Sequence, residues 1–148
     1  MKRIPRKLGA WLAAGIGSYV LAALFSQFVV LMGLMGLGLE ISLLDSVSSL
    51  THAVFNMVPY LVVILIGFVM AFGVARGVKK IIPRLAIIAY PVAGAAAIGA
   101  ALGLMYLRFG VLPILGAQET YGLLMQIAAG AVGGIIFERL RPKGIVAL

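Results

Sequence analysis

From Leu8 to Leu39 the chain runs for 32 residues without a charged side chain, between Lys7 and Glu40. A helix that is apolar on every side belongs in a large protein core or in a lipid bilayer. About 20 largely apolar residues suffice to cross the hydrocarbon. Three more stretches repeat the pattern: Ala53 to Ala75, Leu85 to Leu107 and roughly Ala117 to Phe137, the last with Glu119 and Thr120 at one end. Composition agrees, because 11% of the 148 residues are charged, whereas a soluble domain carries about 25%. The sequence therefore predicts an all-α integral membrane protein, one membrane domain over residues 1–148. Its four transmembrane helices are expected near 8–39, 53–75, 85–107 and 117–137.

Lys and Arg are retained on the cytoplasmic side of short membrane loops. Lys2, Arg3, Arg6 and Lys7 precede the first span, Arg76, Lys79, Lys80 and Arg84 fill the loop between the second and third, and Arg139, Arg141 and Lys143 follow the fourth. Only Arg108 falls in a loop on the other side. Eleven cations against one predicts four spans with both termini inside, in a bacterial inner (cytoplasmic) membrane. Glu40, Asp45 and Glu119 then lie outside and Glu138 inside.

The basic start also resembles a secretory signal, but the apolar part of such a signal is about 7–15 residues long and ends at a small-x-small site. Here bulky Leu24 and Phe25 precede Ser26, so the first span is expected to stay as an anchor. It is long for one straight crossing, since 32 residues at about 1.5 Å each make about 48 Å. The surplus lies in Gly33-Leu34-Met35-Gly36-Leu37-Gly38, which is expected to carry the helix into the outer interface or break it there.

Next comes a segment of different texture, about residues 41–55. Ile41, Leu44, Val47, Leu50 and Val54 recur at helical spacing with Ser, Thr, Asp and His between them. Ser42-Leu43-Leu44-Asp45 matches a capping box. The expectation is a short amphipathic helix on the outer membrane surface. Two short matches, Lys2-Arg3-Ile4-Pro5-Arg6 with Lys80-Ile81-Ile82-Pro83-Arg84 among them, hint at tandem hairpins. They consist of common membrane residues, and chance explains them better than duplication.

Lipid tails are as apolar as leucine, so membrane helices associate by close packing and small residues mark where. The third span has Ala95, Gly99 and Gly103 four apart, and the fourth has Gly122, Gly130 and Gly134 on one four-residue ladder. The first carries Ala10, Ala14, Ser18, Ala22 and Ser26. Gly99, Gly103, Gly130 and Gly134 are the expected packing positions, either between the third and fourth spans or between subunits. Pro91 is expected to kink the third span about two turns in, and Pro59 to sit in a first turn.

Charges inside a membrane mark ion paths and proton relays, and the central part of each span has none. An acid-coupled multidrug carrier and a paired-aspartate membrane peptidase both lack their acids here. The candidate polar cluster at depth is Ser18, Ser26, Gln27, Tyr60 and Gln126, with Gln27 and Gln126 at similar depth. Hydrogen bonding between helices is the simpler role for it, and a solute path the alternative.

Asp45, Ser48, Ser49 and His52 share a helical stripe, but Asp45 and His52 are about 10 Å apart along a helix axis, too far for a catalytic relay. With one His and no Cys, one chain assembles neither a haem nor a zinc site, so no cofactor and no enzyme activity are expected. The basic residues lie at span ends without interleaved aromatics. That pattern fits anionic lipid head groups at the cytoplasmic face and not nucleic acid. The leading expectation is a non-enzymatic accessory or structural subunit, acting as a homo-oligomer or beside a partner membrane subunit. The alternative is a small oligomeric channel or carrier for a neutral or weakly polar solute.

Overall fold

A computed structural model describes residues 4–38, 40, 42–85 and 87–141. They are helical nearly throughout: α1 Ile4–Gly36, α2 Leu43–Asn56, α3 Val58–Ile81, α4 Ala89–Phe109 and α5 Thr120–Leu140. Short 3-10 turns at Pro83–Leu85 and Leu115–Ala117 sit in the α3–α4 and α4–α5 connections. All but α2 are long and apolar enough to cross a membrane. The four long helices close into a ring in the order α1, α3, α4, α5, each packed on two neighbours, and α2 lies against α1.

The helix ends differ from the sequence expectation in one consistent way. The second, third and fourth long helices begin later than the apolar stretches do, at Val58, Ala89 and Thr120. Hydropathy cannot separate an apolar residue in a helix from one in a buried turn. Ala53 to Asn56 belong to α2, Leu85 ends a 3-10 turn and Ala117 lies in another. The first helix carries on through Gly33 and stops at Gly36, and Gly38 follows with φ 78°. That left-handed conformation favours glycine at a helix end. Gly110 ends α4 the same way, with φ 73° and its N–H donated to the Tyr106 carbonyl at 2.8 Å.

Pro59 sits in the first turn of α3, as its position predicts. Pro91, expected inside the third span, lies instead in the first turn of α4. Because α4 starts at Ala89, Pro91 is its third residue, and a first-turn N–H has no intrahelical partner to lose.

α2 sorts its side chains into three sectors at about 100° per residue. Ser46, Leu50 and Val54 are half-buried, and Val54 packs on the core. Asp45, Ser49, His52 and Asn56 form an exposed polar sector. Leu44, Val47 and Phe55 form an apolar one that is 82%, 64% and 71% exposed. Ser42 Oγ accepts the Leu44 N–H at 3.3 Å, a simple N-cap bond to the second helical residue and not the capping-box bond to Asp45.

The core divides labour by size. α3 contributes the large side chains Ile64, Phe68 and Phe72, and α4 adds Ile98 and Leu102, while α1 and α5 face them with Ala14, Ala22 and Ala129. Bulk on one helix fills the space left by small residues on another, the interdigitation that close-packed interiors require.

The tightest crossing joins α4 and α5 at Gly94, Gly130 and Gly134. A Cβ on Gly94 or Gly130 would run into the other glycine's carbonyl, and one on Gly134 would meet the Tyr90 carbonyl and, at 2.7 Å, Pro91 Cα. Gly130 and Gly134 thus lie against Gly94, Tyr90 and Pro91 of α4. A Cβ at Gly99 would make only ordinary 3.7 Å contact with Ile127, and one at Gly103 would meet nothing within 4 Å. α4 carries small residues on several faces, and spacing alone does not show which of them turns inward. Gly94→Leu and Gly130→Leu should each destabilise the bundle by at least about 1–3 kcal/mol, the usual cost of overpacking, whereas Gly103→Leu should leave it unchanged. Unfolding titrations in mixed micelles measure this, and an equal loss at Gly103 contradicts the assignment.

Candidate functional site

The polar residues at depth lie along one stripe of α1 and the surfaces it meets. Ser18, Ala22 and Ser26 are four apart and so share a face. Ser18 is fully buried, and its hydroxyl donates to the Ala129 carbonyl of α5 at 3.0 Å. One turn further, the Gln126 side chain reaches from α5 and donates Nε2–H to the Ala22 carbonyl at 2.9 Å. Its Oε1 accepts the Tyr60 hydroxyl from α3 at 3.4 Å. Beyond that, Ser26 Oγ accepts the Gly116 N–H at 3.2 Å. Tyr19 donates to the Val54 carbonyl near the end of α2.

Four of the five expected polar residues, Ser18, Ser26, Tyr60 and Gln126, are thus buried and hydrogen-bonded. Gln27 is not part of the array: it is half-buried on the next face of α1, and the Gln126 amide is satisfied without it. An unpaired polar group in hydrocarbon costs several kcal/mol, so each of these bonds fixes where a helix can sit. Between membrane helices such bonds are worth about 0.6 kcal/mol on average and up to about 1.7. Ser18, Gln126 and Ser26 fasten α5 and its preceding loop to α1 at successive depths.

That loop is the feature hydropathy conceals. Gly116 and Ala117 are buried although they lie in a connection. Gly116 is pressed between α1 and α5: a Cβ there would collide with Ser26, including its backbone oxygen at 2.7 Å, and one at Gly122 would collide with the Gly116 carbonyl. The Leu115–Ala117 turn is therefore wedged between α1 and α5.

The opposite end is closed by charge and aromatic rings, which the sequence reading missed. Lys79 of α3 pairs with Glu138 of α5, and Arg141 lies 3.8 Å from the same carboxylate. Lys79 Nζ and Arg141 Cζ each sit 4.8 Å from the centroid of the Tyr90 ring, and Arg141 donates to the Tyr90 hydroxyl at 3.3 Å. Phe72 and Phe137 stack at 4.4 Å beside it. The available signal was that Glu138 is the one acid at an end otherwise made of cations. What the sequence lacks is the fold that brings Lys79 within reach.

Asp45, Ser48, Ser49 and His52 are all exposed on α2, and no group of three or more metal-binding side chains occurs among the described residues. An apolar groove of about 910 Å³ lies between α3 and α4. Gly67, Ala71, Ala97 and Ala101 are among the residues that line it, and Arg108 and Phe109 stand at one end.

Compared with protein-family models, curated proteins and solved structures, the chain matches none.

Gly116→Ala should destabilise the protein more than Gln126→Leu. The first forces a methyl onto the Ser26 backbone, while the second removes two side-chain bonds, at about 1–2 kcal/mol. Thermal unfolding of the purified protein in detergent ranks the two, and the reverse order would show that the loop is free to move away.

Proposed function

We propose that this chain is a non-enzymatic protein of the bacterial inner membrane that serves as an accessory or structural subunit, as a homo-oligomer or beside a partner membrane subunit. The observation that carries this reading is where the deep polar groups point. Ser18, Ser26 and Gln126 each bond to the backbone of a neighbouring segment, and Tyr60 bonds to Gln126. A solute path needs such groups free to exchange their bonds with a passing molecule. Here they are committed to holding helices, with the Leu115–Ala117 turn wedged between α1 and α5 at one end and an ion pair at the other.

The distribution of charge supports an orientation with both termini inside. Arg76, Lys80 and Arg84, all exposed, then meet cytoplasmic anionic head groups, worth about 1 kcal/mol for each cation near the surface. In that orientation α2 lies on the outer face. Its sectors suit an interface: Leu44, Val47 and Phe55 toward lipid, and Asp45, Ser49, His52 and Asn56 toward water.

The native chain has no Cys, so single cysteines report cleanly with a membrane-impermeant thiol reagent. In intact cells Ser49→Cys, in the polar sector of α2, should label and Gly77→Cys should label only after the membrane is opened. Ser18→Cys, Ser26→Cys, Gln27→Cys, Tyr60→Cys and Gln126→Cys should stay unlabelled in both conditions. Labelling along those five positions would replace the structural reading with that of a channel or carrier for a neutral or weakly polar solute.

A further inference from the structure

We propose that the groove between α3 and α4 holds one anionic phospholipid, with its acyl chains along the groove and its phosphate at Arg108. The assignment of that lipid to the outer leaflet rests on the orientation proposed above; the site itself does not. The groove is apolar along its length, with Gly67, Ala71, Ala97 and Ala101 offering little side chain and Met70 and Leu104 at its edges. Small residues leave room for flexible chains to lie close to the helix backbones. α4 alone, 21 residues long, spans about 30 Å at 1.5 Å per residue, the thickness of the hydrocarbon.

Charge decides the occupant. Arg108 is the one charged residue lining the groove, it is exposed, and it forms no ion pair among the described residues. Its guanidinium lies 5.9 Å from the Phe109 ring centroid. Such a group binds a phosphate through two parallel N–H bonds. A second copy of the chain fits less well. A two-fold contact along this groove would put the same patch on both sides and bring two Arg108 side chains together, a like-charge juxtaposition that opposes association. A lipid with a net negative head group meets the same cation with the opposite sign.

The test places a reporter in the groove. Leu104 lines it and is 66% exposed, and Trp11 is the sole tryptophan, so Leu104→Trp in a Trp11→Phe background gives a single local fluorophore. The protein is reconstituted in vesicles containing brominated phosphatidylglycerol or brominated phosphatidylcholine with the same chains, in competition with unbrominated lipid. With Arg108 present, phosphatidylglycerol should be preferred about fivefold, the ratio that corresponds to about 1 kcal/mol for one cation at the surface. Arg108→Gln should bring the ratio to about one, and Arg84→Gln, at the other end, should leave it unchanged. A ratio near one with Arg108 intact, or one that Arg108→Gln does not move, overturns the proposal. So does a reporter that neither lipid quenches, joined by disulfide dimers of Ala100→Cys, since a second copy then covers the groove. The cysteine labelling above reads orientation without reference to the groove, so the two readings fail separately.

Discussion

The backbone-to-backbone approach of α5 to its neighbours is the constraint on which the rest depends. In a bilayer there is no hydrophobic gain from helix association, so the energy comes from contact distance and from hydrogen bonds that lipid cannot replace. Gly130 and Gly134 let α5 close on Gly94 and Tyr90 of α4, and Gly122 lets it close on the Gly116 turn. On its other side Gly133 sits where a Cβ would run into Ser18 and Phe68. Almost every other assignment follows from α5 being this thin. Phe68 has room because Gly133 has no side chain, and Ser18 reaches the Ala129 carbonyl because the helices are near enough.

Polar groups at depth then act as register marks. Dispersion between small residues is permissive about sliding, but a buried amide is not. Gln126 can meet the Ala22 carbonyl and the Tyr60 hydroxyl only at one relative depth of α1, α3 and α5. The Ser26–Gly116 bond fixes the loop in the same way. With the Lys79–Glu138 pair at the far end, the ring is tied at both ends and in the middle. α2 and the α3–α4 groove are left as exposed surfaces of this body.

Legibility varied by element. The four long helices could be read from the charge-free runs, and α2 from the recurrence of Leu44, Val47, Leu50 and Val54 among polar residues. Gly130 and Gly134 could be read from spacing. Their partner could not: α4 has small residues on several faces, among them Gly94, Gly99 and Gly103, and spacing alone does not say which face turns inward. Gln27 and Gln126 looked alike at similar depth, yet only Gln126 faces the core. Pro91 appeared interior to a helix because Leu85 to Ile88 are as apolar as the helix that follows.

By itself the sequence determined four helices long and apolar enough to cross a membrane and the clustering of cations at their ends, because those depend on runs and sums of residues along the chain. Tertiary structure alone decided which glycines meet, that the Leu115–Ala117 turn is buried, and that Glu138 finds Lys79. Each of these joins residues far apart in the chain, and what selects them is the distance between helix backbones. A one-dimensional pattern of apolar and polar residues does not contain that distance.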